Sequence, residues 1–492
     1  MSARADRIQG GLQAVPARSV PDRPKWNGSN QQLSSISLVV ADIIAWLSVY
    51  AIIIGIRSLI WGALPPVHWA FWSSGLAWFA LRWKSGLNSP FGMYPPEELR
   101  RSFHTTLAAL VLHFSVLVAA QQIFSWRLFS LLIWVVLPAA TYVTRTVVRS
   151  YLIRRGRYGA PVVVVGSAGV VERTLRELLA RPDTGHTPVA VFLTQRLRPA
   201  RRTHVLGVPV LGYAHEAATY DYGFKVGRAL VAEEDRALRN ELVNTLSSRF
   251  PSLQVTDGVI GENSWLAKAR PLGPYVAIET RQTRFSDSQF LAKRALDIAI
   301  SLPVLLLASP VLLLCGIIIK AHDGGPVFFG QLREGKGGEA IRIYKLRSMV
   351  VGAEAKLAAY LAENEAARFE YERTMKLRKD PRIIPGIGNF IRKSSIDEIP
   401  QLWSILKGDM SLVGPRVMPT REINLYSDRA QQLRREILPG LTGFWQVEHR
   451  NDSDFQIREI ADSFYVQNWS IWLDLWIVLR TFKVVLTGSG AV

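Results

Sequence analysis

Four apolar stretches, near residues 36–56, 67–83, 103–120 and 128–148, crowd the first 150 residues of the chain. A helix rises about 1.5 Å per residue, so each predicts a helix long enough for a hydrocarbon core of about 30 Å, the second only marginally. From Ala160 the pattern changes. Pro161-Val162-Val163-Val164-Val165-Gly166 and the runs at 188–193, 208–211 and 229–232 are short and β-branched, with helical periodicity over 170–179 and 236–250. Continuous apolar strands alternating with helices predict an open parallel α/β sheet. A further apolar run covers 298–319, interrupted by Pro303 and by Ser309-Pro310. After it, 325–338 predicts two short strands around a glycine-rich turn, and 341–349 alternates as a strand that sets Lys345 and Arg347 on one face. Residues 354–378 predict one long charged helix. Residues 469–486, with Trp469, Trp472 and Trp476, predict an amphipathic helix lying on a bilayer surface.

Charge fixes how these segments sit. Arg82, Lys84, Arg100 and Arg101 flank one link between apolar stretches, and Arg145, Arg149, Arg154, Arg155 and Arg157 follow the last, while the other two links are nearly uncharged. The positive-inside rule then puts both ends of the four-helix region in the cytoplasm. The run at 298–319 has basic flanks on both sides: Lys293 and Arg294 before it, Lys320, Arg333 and Lys336 after it. Together with its prolines this predicts a re-entrant helix over 293–320 that enters the bilayer, bends and returns. Asp42 lies inside the first apolar stretch near its cytoplasmic end, and a functional and a merely interfacial role stay equally open.

Composition narrows the classes. Hydrophobic residues make up 49% of the chain and there are 15 Trp, which favours membrane segments over a wholly soluble protein. The net charge of +19 alone would admit nucleic acid, a membrane surface or anionic substrates. Much of it stands in the membrane flanks, and no basic stretch has the aromatic pattern of an RNA-binding sheet, so no nucleic-acid partner is expected. The one cysteine, Cys315, excludes a disulfide framework and a thiolate metal site. Residues 1–33 have no hydrophobic periodicity and are expected to form a disordered cytoplasmic tail. Gly166-Ser167-Ala168-Gly169 gives G-x-x-G rather than G-x-G-x-x-G, and the second strand ends in Thr194-Gln195 where an NAD domain has an acid. A regulatory or packing role for the middle domain is therefore preferred to a redox one.

The candidate chemistry centres on Ser394-Ser395-Ile396-Asp397-Glu398-Ile399-Pro400-Gln401-Leu402. Ser395 and Glu398 have the spacing of a capping box, and Trp403, Ile405 and Leu406 are expected to continue the apolar face of a helix begun there. Asp397 and Glu398 would stand at the positive end of its dipole, pointing about 100° apart and able to do different work. Taken alone, a cap is the favoured role. The surroundings change that: Arg333, Lys345, Arg347, Arg382, Arg392 and Arg416, with Gly- and Pro-rich loops, suit phosphate oxygens, and paired carboxylates suit a divalent metal and a nucleophile at phosphorus. Beside a membrane anchor, this suggests phosphoryl-type transfer from a soluble donor to a lipid.

Residues from about Phe290 onward resemble the bacterial polyprenyl-phosphate hexose-1-phosphate transferases, the monotopic phosphoglycosyl transferases. The motifs are Lys293-Arg294 with Asp297, Ser309-Pro310, Gly325-Pro326-Val327, Tyr344-Lys345 with Arg347-Ser348-Met349, Asp380-Pro381-Arg382, Asp397-Glu398, Gly408-Asp409-Met410-Ser411, Gly414-Pro415-Arg416 and Pro439-Gly440 with Thr442-Gly443. The preceding spans and α/β domain look like the large form of the family, as in undecaprenyl-phosphate galactose or glucose phosphotransferases. The resemblance implies a membrane protein of α/β class. It has four transmembrane helices over 34–150, a Rossmann- or flavodoxin-like domain over 151–283, and over 284–492 the re-entrant helix with a small α/β catalytic domain. It also implies transfer of a hexose-1-phosphate from a UDP-hexose to undecaprenyl phosphate with loss of UMP, at the bacterial inner membrane, in exopolysaccharide, capsule or O-antigen synthesis. Asp397 matches the nucleophile and Glu398 the acid that positions Mg²⁺. Arg333, Lys345, Arg392 and Arg416 match phosphate-binding cations, and Ser309-Pro310 matches the break in the re-entrant helix. Val417 stands where the family commonly has Pro, and His449 where it commonly has Gly before Arg450. A nucleotide-sugar oxidoreductase or epimerase and a non-catalytic scaffold are the rival classes; a homodimer through the middle domain stays open.

Overall fold

The computed structural model describes residues 29–61, 69–89, 91, 93–119, 124–195, 204–224, 226–256, 268–272, 275–279, 287–374, 377, 380–448 and 455–487. Residues 1–28 of the expected tail, the pair His449-Arg450 and the terminal 488–492 lie outside them, and residues 29–33, expected in that tail, are helical instead. The chain divides into two compact units, Met1–Val259 and Ile260–Val492.

The first unit opens with four helices, α1 (Ser29–Trp61), α2 (Trp69–Lys84), α3 (Pro95–Ala119) and α4 (Phe124–Arg154). Three carry stretches long and apolar enough to cross a membrane, Gln31–Ile60, Pro95–Val118 and Leu131–Arg154. The marginal second segment forms α2, 16 residues as described, short of a full crossing. Asp42 is buried and takes both forks of two arginines, Arg82 at 2.9 and 3.0 Å and Arg145 at 2.7 and 2.7 Å. Arg145 also reaches Glu98 at 2.9 Å, and Arg149 pairs with Glu98 at 2.7 Å. Of the two roles left open for Asp42, an interfacial one does not fit its burial among these arginines. Arg82 and Arg145 are buried inside the bundle rather than turned to headgroups, because a carboxylate at low dielectric needs charge partners more than the flank does.

The helices lead into β1 (Ala160–Gly166), α5 (Ala168–Ala180), β2 (His186–Leu193), β3 (His204–Val205), β4 (Val208–Tyr213), β5 (Arg228–Ala232), α6 (Arg236–Ser247) and β6 (Ser252–Thr256). The sheet order is β3-β4-β2-β1-β5-β6, parallel except for β3 against β4. Both faces are covered. Val163 and Val165 pack towards Leu242 and Leu246 of α6, and Val162 and Val164 towards Val170, Val171 and Leu175 of α5, which is why the strand reads as an unbroken apolar run. At the carboxyl ends of β1 and β5, where such sheets take ligands, a Cβ on Gly166 would stand 1.7 Å from the Ala232 carbonyl. The glycine serves that strand-to-strand approach. Beside it the buried Glu233 carboxylate accepts from Thr194 Oγ1 at 3.1 Å, a charge that repels phosphate and weighs against the oxidoreductase rival.

The second unit comprises β7 (Lys268–Leu272), β8 (Tyr275–Glu279), α7 (Asp287–Asp323), β9 (Phe328–Glu334), β10 (Ala340–Leu346), α8 (Ala353–Glu363), α9 (Glu365–Thr374), α10 (Ile387–Lys393), α11 (Gln401–Lys407), β11 (Ser411–Val413), α12 (Thr420–Ile423), α13 (Asp428–Arg435), β12 (Gly440–Thr442), α14 (Phe444–Glu448), α15 (Phe455–Gln467) and α16 (Ile471–Thr487). Within α7, Ser288–Asp323 is the fourth stretch long and apolar enough to cross a membrane. Its first turns are locked to the unit: Lys293 Nζ bonds Asp474 at 2.6 Å and the Val413 carbonyl at 2.8 Å, and Asp297 accepts from Ser411 Oγ and Leu412 N. Its later turns pack Cys315 and Ile319 on Leu346, Ile384 and Ile391. The helix is assigned without interruption through Pro303 and Pro310. Pro310 leaves the Leu306 carbonyl without its helical donor, and Ser309 Oγ donates to it at 2.7 Å.

Three expectations are corrected here. The charged stretch forms two helices, because Asn364 leaves the helical region (φ −126°, ψ 96°) between α8 and α9. The tryptophan-rich segment does not offer Trp469 and Trp476 to a bilayer: both are buried, with Trp469 Nε1 donating to Asp474 at 3.0 Å, so the Lys293–Asp474 pair draws that face inward. The stretch 438–443 is not only turn, since Gly440–Thr442 pairs parallel with Ser411–Val413.

Candidate active site

The site begins with a two-stranded antiparallel sheet, β9 on β10, in which Lys345 lies opposite Phe329 and Arg333 opposite Ile341. These positions share a face by strand alternation, on which Ile343 is buried and Phe329 exposed, whereas Phe328, Leu332 and Tyr344 on the other face are exposed. Arg347 lies one residue beyond the end of β10, where the alternation lapses. It forks onto Asp323 and donates to the Pro326 carbonyl at 2.6 Å, away from the acid pair. Arg382 is likewise consumed by Asp380 at 2.7 Å.

Asp397 and Glu398 occupy a 3₁₀ turn, Ile396–Glu398, rather than the first turn of an α-helix. Ser395 does not cap: it stands in the left-handed region (φ 58°, ψ 19°) with no side-chain cap bond. The α-helix α11 starts only at Gln401, with Pro400 at its N-cap, five residues later than the spacing suggests. Leu402 and Ile405 face inward, while Trp403 is 62% exposed, which corrects the expected apolar face. A serine held at positive φ costs on the order of 1 kcal/mol, and here it directly precedes the turn that carries the two acids.

Lys345 Nζ lies 2.7 Å from Glu398 and 3.9 Å from Asp397, and Arg416 lies 3.9 Å from Glu398. Arg416 is aimed by its backbone. Arg434, ion-paired with the buried Asp462, donates to the Arg416 carbonyl at 2.7 Å. Gly414 and Gly440 meet so closely that a Cβ on Gly440 would stand 2.1 Å from Gly414 N. Gly414 N donates to Thr442 O at 3.0 Å and Gly440 N to Pro415 O at 2.8 Å. These glycines permit the packing that presents Arg416, and their N–H groups are spent inside the protein rather than on a phosphate.

A cavity of about 180 Å³ opens beside Glu398, walled by Lys345, Arg333, Arg416, Glu422 and Arg458. Asp397 is not part of this wall, so the two acids face different surroundings. Arg392 is exposed at the end of α10, and its charge helps hold Asp397 ionised. Ser309 and Pro310 belong to the apolar helix and not to this cavity. Glu422 and Arg458 had no sequence signal: each is a single charged residue in a polar stretch, brought in by tertiary packing.

Among the described residues no three His, Cys, Asp or Glu side chains form a metal cage. Glu398 on the cavity wall, with Asp397 next to it in the chain, nonetheless fits the way Mg²⁺ is commonly held, through one or two acids shared with substrate phosphates.

Residues 288–488 match the family described as bacterial sugar transferase. The chain is 45% identical over 205 residues to the undecaprenyl-phosphate galactose phosphotransferase of Salmonella typhimurium, covering 42% of each protein. It is 31% identical over 401 residues to the UDP-galactose-lipid carrier transferase of Erwinia amylovora, covering 80% of this chain and 82% of the relative. The chain belongs to the bacterial sugar transferases. This transferase is also 35% identical over 260 residues to the UDP-glucose:undecaprenyl-phosphate glucose-1-phosphate transferase of Caulobacter vibrioides, covering 51% of this chain and 87% of that one. The family resemblance drawn from the motifs is thus borne out, and the comparison with the Erwinia protein extends it well beyond the matched domain.

Proposed function

We propose that this transferase moves a hexose-1-phosphate from a UDP-hexose to undecaprenyl phosphate, releasing UMP and forming an undecaprenyl-diphosphate sugar for exopolysaccharide, capsule or O-antigen synthesis. The observation that carries the reading is the adjacent pair Asp397-Glu398, at 3.9 and 2.7 Å from one Lys345 ammonium, beside a cavity walled mainly by cations. An Asp397 carboxylate oxygen attacks the phosphorus that bears the sugar. The bond from that phosphorus to the UMP oxygen breaks, and its electron pair leaves with UMP. A phosphate oxygen of the lipid then attacks the same phosphorus and frees Asp397. Lys345 and Arg416 neutralise charge on the transferring group. Glu398 would hold Mg²⁺, which supplies further neutralisation of the diphosphate.

Two features support the lipid acceptor. Both ends of α7 rest on the same compact unit, at Lys293 and Asp297 and again at Cys315 and Ile319, with exposed leucines between. A full crossing would put the two ends on opposite sides of a bilayer, so contact of both ends with one unit supports a helix that enters without crossing. An apolar groove of about 750 Å³ runs along it past Leu313, Gly316, Ile317 and Val327 to Phe328, the strand neighbour of Phe329, which lies opposite Lys345. It offers a place for a prenyl chain that ends on the strand pair carrying Lys345. The reading puts the protein in the inner membrane with the second unit and the N-terminus in the cytoplasm, where UDP-sugars are.

A panel of UDP-sugars supplied with undecaprenyl phosphate and Mg²⁺ is the test. UMP release is expected with UDP-glucose or UDP-galactose and is expected to vanish with excess EDTA. No UMP from any member of the panel would sink the reading.

The pH profile tests the nucleophile separately. Burial is the largest influence on Asp397 and pushes its carboxyl above the ordinary range, Lys345 pulls it down, and Glu398 pushes it up. The attacking form is ionised, so activity falls as pH drops through that raised value. Lys345→Met removes the main lowering influence and is expected to move the acid limb to higher pH. Glu398→Gln moves it lower, whatever it does to the maximal rate. Acid limbs unmoved in both variants would assign the titration to another group.

A further inference from the structure

The cations of the cavity are not equivalent. Lys345 is paired with Glu398 at 2.7 Å, Arg416 has the same acid at 3.9 Å, and Arg333 donates to Gln331 Oε1 at 2.7 Å and to the Leu332 carbonyl at 3.1 Å. Arg458 has none of this. Among the described residues no carboxylate lies within ion-pair distance of it, and its buried Nε–H meets no acceptor. What holds it is aromatic: its guanidinium lies 4.3 Å from the ring of Trp445, on α14, and 5.2 Å from that of Phe455, which opens α15.

Elsewhere in this unit a ring-stacked arginine also carries an acid. Arg382 over Tyr371 has Asp380, Arg434 over Tyr426 has Asp462, and Arg480 over Trp476 has Glu448. In those three the charge is answered within the protein. Among the described residues no acid answers the charge of Arg458, which lines the cavity. Stacking orients a guanidinium while leaving its in-plane N–H groups available, the geometry that grips a phosphate through two parallel hydrogen bonds. Arg333, Lys345, Arg416 and Arg458 face Glu398 and Glu422 across the cavity, four cations against two acids, an excess of two positive charges. A diphosphate diester carries about two negative charges at neutral pH.

We infer that Arg458 is a phosphate-binding residue of this cavity, held in readiness by Trp445 and Phe455. This rests on the proposed transfer reaction and adds a residue that neither the motifs nor the acid pair assign. The ligand chemistry is a phosphate oxygen pair. The reaction offers two sources, the diphosphate of the sugar nucleotide and the phosphate of the lipid acceptor, and an acidic partner within the protein is not required for either.

The test uses the full chain in lipid nanodiscs, with UDP as the donor-side probe followed by titration calorimetry, and with KM for undecaprenyl phosphate measured at saturating UDP-sugar. Arg458→Met is expected to weaken UDP at least tenfold if the donor is the source. If the acceptor is the source, UDP affinity holds and the acceptor KM rises at least tenfold. Arg458→Lys keeps the charge and loses the fork, and is expected to remain at least threefold weaker on the same probe. Trp445→Leu is expected to act in the same direction, by freeing the guanidinium. The inference is overturned if Arg458→Met melts like the wild type and shifts neither quantity by more than twofold, or if it lowers only the melting temperature and kcat, as a structural role would. Where Arg458→Met does not fold, the lysine variant decides, and wild-type values in it overturn the inference. UDP binding needs no turnover. A wild type that binds UDP through Arg458 yet yields no UMP would defeat the transfer reading and keep this one. A wild type that binds neither UDP nor undecaprenyl phosphate defeats this one.

Discussion

Asp397→Asn is expected to lower UMP release by at least about a thousandfold, because it removes the atom that forms the covalent bond while leaving the side chain's shape. A donor labelled in the phosphate next to the sugar should leave label on wild-type protein and none on the variant. Loss of fold is separable from loss of chemistry by the sign of the stability change. Asp397 is partly buried and its carboxyl is raised, chiefly by burial and secondarily by Glu398. A carboxyl whose folded-state value is raised contributes stability that is present at low pH and lost as pH rises through that value. At pH 7 the ionised Asp397 is therefore a burden on the fold, and the amide, which never ionises, removes it. The melting temperature of Asp397→Asn at pH 7 is expected to equal or exceed that of the wild type while activity disappears. Asp397→Glu restores a carboxylate about 1 Å out of place and is expected to stay at least a hundredfold down. A variant asparagine chain that retains a tenth of the wild-type rate would remove Asp397 from the reaction.

How much of this site could be read from the sequence depended on which interaction set each residue's place. β1 was legible because a strand buried on both faces has to be apolar throughout, and Val162–Val165 face two different cores. Lys345 was legible because strand alternation holds inside β10, and Arg347 was not, because it lies past the strand's end and falls to Asp323. The Ser395–Glu398 spacing pointed to a capped helix, a purely local pattern. The structure uses the same residues in a left-handed turn and a 3₁₀ segment, an arrangement that only packing by α10, Pro400 and α11 can impose. The glycines of Gly414-Pro415-Arg416 and Pro439-Gly440 suggested phosphate loops, yet their reason is mutual contact across β11 and β12, which no single motif contains. The tryptophans of α16 gave the reverse error. Their amphipathic appearance suggested a membrane surface, and one buried acid, Asp474, reverses it by pairing with Lys293 from a helix nearly two hundred residues earlier in sequence.

The second large effect is expected in the first unit, at a residue remote from the proposed chemistry in sequence and in role. Asp42 is 1% exposed and accepts four hydrogen bonds from Arg82 and Arg145. Arg82 also donates to Ser102 at 2.9 Å, and Arg145 to the Leu87 carbonyl at 2.9 Å, so one carboxylate on α1 organises arginines from α2 and α4 together with α3 and the segment after α2. Asp42→Ala strands two buried guanidinium groups, and breaking a buried pair from one side costs about 3–5 kcal/mol. In a unit of this size that corresponds to roughly 10 °C in melting temperature. Arg145 keeps Glu98 at 2.9 Å, whereas Arg82 has no second acid within ion-pair distance among the described residues, so the damage should fall mainly on Arg82. The double variant Asp42→Leu with Arg82→Met removes that stranded charge and is expected to recover a substantial part of the loss, although it changes one more side chain than the single variant. Thermal melting in detergent, with limited proteolysis of the helical region, measures both. The double variant melting below Asp42→Ala would show that shape rather than charge holds the helices, and melting of Asp42→Ala within about 2 °C of the wild type would deny the cluster any structural weight.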